Sequence, residues 1–382
     1  MNGLRAIAAF VVIIHNIEQV RFQFGYFNHW QTSFFYNVGG SGVTLFFVLS
    51  GFLITYLLVV EKEKFKTISV KKFYIRRMLR IWPLYYLVVI LSLYIFPQIK
   101  FLDIPGWTPF VSNGLTYKTI LYFLIFPNVS NLFFVTVPYL GQAWSIGVEE
   151  QFYLVWPWIV QLTGSLLKAL LFIIVGMLIL TLILDDLLTV AKYHFNHHIV
   201  TESTWISMYL GQFRISCMAI GGLGAYLLYY KKNKILQVLF LKSTQVIVLL
   251  LTCALSLTGF VFPFANHEIY SILFCIIILN VSSNTSSLLK LNHIIPDYLG
   301  KISYGLYMFH QLCIVIALQI LVLAFHFNFS SIGQEAALYL LSITITVILA
   351  SVSYYFYEKR FLNIKYRFAR VQSDDGNLKM RK

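Results

Sequence analysis

The stretch GQAWSIGVEEQFYLVWPWIV, residues 141–160, is an apolar segment with two adjacent glutamates near its centre. A helix needs about 20 predominantly apolar residues to cross the hydrocarbon core of a bilayer, and this stretch has that length. Removing a carboxylate from water is costly unless it is paired or protonated. The stretch therefore predicts a membrane-spanning helix in which Glu149 and Glu150 have a function.

The composition of the whole chain is that of a polytopic membrane protein. Of its 382 residues, 59% are hydrophobic and 12% are charged, and the mean hydropathy is +0.75. A soluble domain carries roughly 25% charged residues. We therefore predict an all-α bundle of transmembrane helices.

Ten segments are predicted to span the membrane, with both termini on the cytoplasmic side. They are residues 4–20, 42–60, 80–97, 142–162, 166–184, 207–229, 244–263, 268–285, 302–325 and 336–357. With this count every basic cluster lies on one side of the membrane, as the positive-inside rule requires. We assign residues 1–366 to an integral membrane domain and residues 367–382 to a basic cytoplasmic tail, which we expect to be disordered.

The net charge of +14 is divided among short loops between apolar spans and the tail. This distribution argues against a nucleic-acid partner and indicates topology, with anionic membrane lipid as the accompanying partner. The four cysteines fall in apolar segments without a C-x-x-C spacing, which indicates neither zinc nor a disulfide framework. We interpret the histidines of HFNHH, residues 194–198, as part of a solvated loop, so no metal site is predicted.

Ionisable side chains within the predicted spans are candidates for function. They are Arg5, His15, Glu18, Glu149, Glu150, Arg214 and His310. At about 1.5 Å per residue, His15, Glu149 and His310 lie deep enough to meet inside the bundle. A carboxylate beside a buried histidine fixes its tautomer and raises its basicity, which is the arrangement of a general base. The alternative is a structural network of buried ion pairs.

Adjacent positions on a helix point about 100° apart, so Glu149 and Glu150 cannot both face one site. We expect one of them to face a cavity and the other to pair with a basic group such as Arg214. Glu18, one turn from His15, is a second candidate to orient that histidine. The substrate is expected to contact Arg214, Trp144 and Tyr153.

The stretch RRMLRIWPLYY, residues 76–86, places three arginines at the predicted cytoplasmic mouth. Guanidinium groups bind phosphates in a bidentate manner, so Arg76, Arg77 and Arg80 predict a site for a phosphate-rich cofactor. Charge that only orients the helix is the alternative. The glycines in residues 37–55 indicate close helix packing, with backbone amides open to a ligand as the second interpretation.

Together these motifs resemble the acyltransferase 3 family of integral membrane acyltransferases. The resemblance covers nearly the whole chain and includes GLRAIAAFVVIIH, FFVLSGFLIT, RRMLRIWPLYY, WSIGVEEQFYLVWP, ISYGLYMFH and YEKRFL. It implies ten core helices in a bacterial cytoplasmic (inner) membrane and transfer of an acyl group, usually acetyl from acetyl-CoA. The acceptor it implies is a hydroxyl of an exported or envelope carbohydrate. Acetyl-CoA would be a co-substrate and not a permanently bound cofactor.

The resemblance also assigns residues. It marks Arg5 and His15 as essential, Arg76, Arg77 and Arg80 as the arginine motif, and Glu149 and Glu150 as the acidic motif. One residue fewer than in the family pattern separates Arg5 from His15, so Asn16 stands where the pattern places histidine. A local bulge in the helix would absorb this difference. Otherwise His310 is the alternative base.

The expected mechanism brings two substrates together from opposite sides of the membrane. Acyl-CoA would be anchored at the arginines, and a carbohydrate or lipid-linked glycan would come from the other side. His15 would take the proton from the attacking hydroxyl, with Arg214 or Arg5 stabilising negative charge. The alternative function is a proton-coupled transporter or flippase of an envelope glycan precursor, since buried His, Glu and Arg side chains also form proton relays.

Overall fold

The computed structural model describes residues 1–194, 211–368 and 370, and in them the chain is helical and contains no strand. The α-helices are α1 (Asn2–Gln23), α2 (Ser33–Phe65), α3 (Val70–Ile90), α4 (Leu115–Phe123), α5 (Pro127–Phe133), α6 (Ala143–Leu162), α7 (Leu166–His194), α8 (Ile215–Tyr229), α9 (Asn233–Phe240), α10 (Lys242–Thr258), α11 (Asn266–Ser283), α12 (Ile294–Lys301), α13 (Ser303–Phe325), α14 (Ile332–Ser353) and α15 (Lys359–Lys365). The prediction of an all-α membrane bundle is confirmed.

Each of the ten predicted spans overlaps one of these helices. Seven of the described helices are long and apolar enough to cross a membrane, and an eighth is added if α9 and α10, bent by 64°, count as one span. Helices α6 and α8 overlap the other two predicted spans but fall outside that set, and α8 has only 15 residues. The count of ten spans therefore stays a prediction.

The two ends of the described chain lie at the same end of the bundle. Helix α14 continues through a π-helical turn, Tyr354–Glu358, into α15. Met1 and Tyr366 then line the mouth of one cavity. The location of both termini on the cytoplasmic side of the membrane stays a prediction from the basic clusters.

Helix α2 packs closely against α1 on one face and α8 on another, because glycine, which has no side chain, stands at the contacts. A Cβ on Gly51 would overlap the backbone carbonyl of Met218 in α8, and a Cβ on Gly42 would contact Val12 in α1. Small residues of this kind let helices approach closely in a membrane. The packing interpretation of the glycine-rich stretch is confirmed at these positions.

The start of the predicted tail is ordered against the bundle. Residues Tyr366–Phe368 form a single 3-10 turn, and the Phe368 carbonyl accepts a hydrogen bond from Arg76 at 2.8 Å. The tail prediction for residues 371–382 falls outside the described residues, as does the predicted loop at residues 195–198.

Candidate active site

A cavity of about 370 Å³ opens at the end of the bundle where Met1 and Tyr366 lie. Along α2 its lining extends from Phe46 to Leu57, which corresponds to roughly 17 Å of helix at 1.5 Å per residue. Basic side chains outnumber acidic ones in the lining. Its ionisable side chains other than tyrosines are Arg5, Arg76, Arg77, Arg80, Lys301, Lys359, Lys365, Glu149 and Glu358.

Glu149 is the member of the glutamate pair that faces this cavity. Its carboxylate accepts a hydrogen bond from the Ser50 hydroxyl at 2.7 Å, and the Tyr153 hydroxyl donates to Ser50 at 3.1 Å. The guanidinium groups of Arg77 and Arg80 lie within electrostatic reach of the carboxylate. The expectation that one glutamate faces a cavity agrees with this arrangement, and Tyr153 is part of the same lining.

Glu150 points to α3, within electrostatic reach of Arg77, so the choice of Arg214 as its basic partner is wrong. The Glu150 carboxylate accepts from the indole nitrogen of Trp82 at 2.9 Å. The guanidinium of Arg214, at the start of α8, donates to the Gly40 carbonyl at 3.2 Å and lies 5.3 Å from the Trp144 ring centroid. The reason is the turn of about 100° between neighbouring helix positions, which directs Glu150 away from α8.

Arg214 and Trp144 contact each other outside the cavity. Neither residue is part of the cavity lining. The guanidinium also donates to the Thr44 hydroxyl at 3.3 Å, so it bridges α8, α2 and α6. Their predicted contact with the substrate would therefore take place outside the cavity that holds Glu149.

The three arginines of the RRMLR motif all line the cavity but differ in their partners. Arg76 forms an ion pair with Glu61 at 3.5 Å. The Arg77 guanidinium lies 5.6 Å from the ring centroids of both Phe73 and Tyr153. Arg80 makes no hydrogen bond or contact-distance ion pair with any described residue. Among the described residues, neither Arg77 nor Arg80 forms a contact-distance ion pair, so the charges of both motif members act in the cavity.

Arg5 also lines the cavity and lies about one turn from the N-terminal end of α1. Its guanidinium donates to the Asn2 side chain at 2.8 Å. It lies within electrostatic reach of Arg77, Arg80 and Glu149. Because two cations and one carboxylate surround it, Arg5 adds to the positive charge of the cavity rather than forming a closed ion pair.

His15 lies outside this cavity, on the α2-facing side of α1. Its Nδ1 atom is 2.6 Å from the Phe35 carbonyl oxygen, and its ring centroid is 4.7 Å from that of Trp30. A Cβ on Gly39 would overlap the imidazole, so the ring occupies the space that this glycine leaves. The imidazole is partly exposed.

The expected carboxylate partner of His15 is wrong, because the Phe35 carbonyl fills that position. Glu18, the second candidate, accepts instead from Arg21 at 2.6 Å and from the Tyr339 hydroxyl at 2.8 Å. Arg21 also pairs with Glu335 at 2.8 Å. Glu18, Arg21 and Glu335 therefore form a buried ion-pair network, which was the structural alternative.

Helix α1 is a regular α-helix through this region, so no bulge absorbs the shifted histidine position. Asn16 faces α13 instead, where its side-chain oxygen accepts from Gln311 at 3.0 Å. The rotation of about 100° per residue explains why His15 faces α2 while Asn16 faces α13.

His310 is fully buried in α13 and lies beyond the end of the cavity. Its Nδ1 atom is 2.7 Å from the carbonyl oxygen of Tyr307, and its Nε2 atom has no hydrogen-bond partner among the described residues. Tyr307, one turn away, lines the cavity and forms a 2.7 Å hydrogen bond with Ser145. The two imidazoles of His15 and His310 lie within electrostatic reach of each other.

Sequence reasoning did not single out several residues of the cavity. Ser50, Ser145, Tyr307 and Glu358 line it, and each lies inside a quoted motif. Glu358 is buried and accepts from the Ser353 hydroxyl at 3.0 Å. The available signal was helical spacing: Ser145, for example, precedes Glu149 by four residues on the same helix. Among the described residues, no group of three His, Cys, Asp or Glu side chains has the arrangement of a metal site.

Comparison with known proteins identifies a domain and a set of relatives. The family model described as an acyltransferase domain, Acyl_transf_3, matches residues 1–355. A peptidoglycan O-acetyltransferase, OatA, of Listeria monocytogenes is 29% identical over 94% of this chain and 54% of its own length. A putative O-acetyltransferase of Staphylococcus aureus is 27% identical, and an O-acetyltransferase OatA of the same species is 26% identical, each over 94% of this chain and 56% of its own length.

The chain thus spans about half the length of the curated relatives it matches. No solved structure matches the chain.

Proposed function

Since this chain belongs to the acyltransferase 3 family, we propose that it transfers an acetyl group from acetyl-CoA to a hydroxyl of a cell-envelope carbohydrate. The observation that carries the proposal is the cavity that leads from a basic mouth to Glu149 and ends at Tyr307, next to the buried His310. We further propose that this integral membrane protein resides in a bacterial cytoplasmic membrane.

The cavity suits the donor in charge and in shape. Seven Lys and Arg side chains and only two glutamates line it, so it favours a polyanion. Its depth of roughly 17 Å along α2 accommodates a long, thin arm that carries the thioester toward Glu149 and Tyr307. The nucleotide end of the donor would remain at the mouth.

The reaction proposed is a direct transfer with histidine as general base. The hydroxyl oxygen of the acceptor attacks the thioester carbonyl carbon, and its proton passes to Nε2 of His15. The C–O bond forms, the C–S bond breaks, and the CoA thiolate leaves and takes a proton. Arg5, which lines the cavity, supplies positive charge that would stabilise the negative charge on the carbonyl oxygen.

His310 is the second candidate for the base, because it lies closer to the end of the cavity. Its Nδ1 is held by the Tyr307 carbonyl and its Nε2 has no partner among the described residues. A route through His310 requires the acceptor to reach a fully buried side chain, whereas His15 is partly exposed. We therefore favour His15.

The class of acceptor is proposed from the relatives. One relative is described as a peptidoglycan O-acetyltransferase, and others as O-acetyltransferases. Since the chain spans about half of their length, the acceptor is assigned only as a cell-envelope carbohydrate or a lipid-linked glycan.

The test is acetyl transfer by the purified protein in liposomes supplied with [¹⁴C]acetyl-CoA and with envelope glycan fragments. We expect free CoA to appear and the glycan to gain the mass of acetyl groups. A protein that moves the glycan across the membrane while leaving the thioester intact would instead be the transporter of the alternative hypothesis.

A further inference from the structure

The loop of residues 24–32, which joins α1 to α2, lies against the imidazole of His15. The ring centroid of Trp30 is 4.7 Å from that of His15. The ring of His29 stacks on that of Phe35 with 6.0 Å between centroids, and the Phe35 carbonyl oxygen is the partner of His15 Nδ1. The surroundings of His15 therefore depend on where this loop and the first turn of α2 are held.

Glu18 holds the backbone of this loop. Its Oε2 atom accepts a hydrogen bond from the His29 amide at 2.5 Å. Its Oε1 atom accepts from Arg21 at 2.6 Å and from the Tyr339 hydroxyl at 2.8 Å, and the side chain is fully buried. A carboxylate is a stronger acceptor than a neutral group. The bond to the amide thus fixes the residue that directly precedes Trp30.

Arg21 keeps the Glu18 carboxylate in this orientation. One guanidinium nitrogen donates to Glu18, and the other donates to Glu335 at 2.8 Å. The guanidinium is fully buried and lies 5.9 Å from the ring centroid of Phe329. Because one oxygen of Glu18 is committed to Arg21, the other oxygen remains directed to the loop.

We propose that Glu18 is a positioning residue for His15, acting through the backbone of the loop that carries Trp30. The inference rests on the proposed function, which assigns the general base to His15. Glu18 follows Arg5, a residue of the cavity lining, by 13 residues, which is roughly 20 Å along α1. Loss of the Glu18 contact should therefore impair proton transfer and leave donor binding intact.

The test variant is Glu18→Gln, and the matched control is Glu335→Gln. Each removes one negative charge beside Arg21 and leaves that arginine one carboxylate partner. An amide has one accepting oxygen and one donating NH₂ group. In Glu18→Gln the oxygen should stay on Arg21, so the NH₂ group would face the His29 amide, which is also a donor. In Glu335→Gln the His29 amide keeps its acceptor.

The first measurement is the rate at which diethyl pyrocarbonate modifies each histidine of the full chain in liposomes, followed by mass spectrometry of its peptides. It requires neither acceptor nor turnover. We expect Glu18→Gln to raise the rate at His15 by at least about threefold, because the loop no longer covers the ring. The exposed His293 and the buried His310 should keep their wild-type rates. Glu335→Gln should leave all three rates unchanged.

Two results of this measurement would overturn the inference. One is an unchanged rate at His15 in folded Glu18→Gln. The other is an equal rise at His15 and His310, since general loosening of the bundle exposes both histidines and would assign Glu18 to stability alone.

The second measurement is kcat and KM for acetyl-CoA, with kcat expressed per mole of protein that binds CoA. Glu18→Gln should lower kcat by at least about tenfold and keep KM within about twofold of the wild type. Glu335→Gln should resemble the wild type, and a wild-type kcat in Glu18→Gln would contradict the positioning role. A wild type that transfers no acetyl group contradicts the proposed function, and the modification rates then decide by themselves whether Glu18 holds His15.

Trp30→Leu tests the same contact from the loop. Trp30 is partly exposed, so this variant leaves the buried ion pairs of Glu18 and Arg21 in place and decides the inference even where Glu18→Gln does not fold. It should raise the modification rate at His15 by at least about threefold and lower kcat. Wild-type values of both would show that the loop does not position His15.

Discussion

The Nδ1 atom of His15 lies 2.6 Å from the carbonyl oxygen of Phe35. A carbonyl only accepts hydrogen bonds, so the proton of a neutral imidazole resides on Nδ1 and the lone pair on Nε2. Glu149 is meanwhile bonded to Ser50, so the backbone of α2, and not a carboxylate, fixes the tautomer of this histidine. A general base requires this tautomer, because Nε2 is then free to take a proton.

Replacing His15 with alanine should reduce acetyl transfer by at least about 10²-fold, because the reaction then lacks its general base. The folded yield should be unchanged, since the side chain is partly exposed. The measurement is CoA release and glycan acetylation in liposomes. His293→Ala, at an exposed position, is the control and should retain full activity. Full activity in the His15 variant together with loss in His310→Ala would move the role to His310.

Gly39→Ala should reduce activity by at least about tenfold without unfolding the protein, because the new methyl group would occupy the space of the His15 ring. The imidazole must then leave the Phe35 carbonyl. Gly40→Ala is the matched control, since a Cβ there comes only within 3.9 Å of Arg214, an ordinary contact. Steady-state rates of the two variants provide the comparison, and equal rates would show that the position of His15 is unimportant.

Glu149→Gln should lower kcat by at least about 10²-fold, since glutamine keeps the bond to Ser50 but removes the negative charge from the cavity. Glu150→Gln should cost less than about tenfold, because its amide oxygen still accepts from Trp82 and the residue lies outside the lining. The same substitution is made at two adjacent positions, so the two variants differ only in which glutamate is replaced. Equal losses would mean that the cavity does not distinguish between the two acids.

The fold was largely predictable because apolar length and basic clusters are local properties of the sequence. Each predicted span overlaps a helix, including 336–357, where the structure continues through the π turn Tyr354–Glu358 into α15. The bend of 64° between α9 and α10 was not predictable, because packing between distant segments determines it.

Only part of the membership of the site was predictable, and its pairing was not. Glu149 and Arg5, from the intramembrane charges, and Arg80, from the arginine motif, share one cavity. Outside its lining lie His15, Glu150, Arg214 and His310. The partners were missed because a backbone carbonyl leaves no signature in the sequence: Phe35 binds His15 and Gly40 binds Arg214. Sequence spacing gives the direction of each side chain on its own helix, whereas the partner depends on how the helices pack.

Gly51→Ala should destabilise the bundle at the contact between α2 and α8. A Cβ at this position would overlap the Met218 carbonyl, which is backbone and cannot rotate away, so the helices must separate. Overpacking of this kind costs about 1–3 kcal/mol, and the melting temperature in detergent should fall by several degrees. Gly176→Ala in α7 is the control, because no described residue outside its own helical turn lies within 4 Å of its Cβ and alanine favours helix more than glycine does. Its melting temperature should equal or exceed that of the wild type, and an equal fall in both variants would contradict close packing at Gly51.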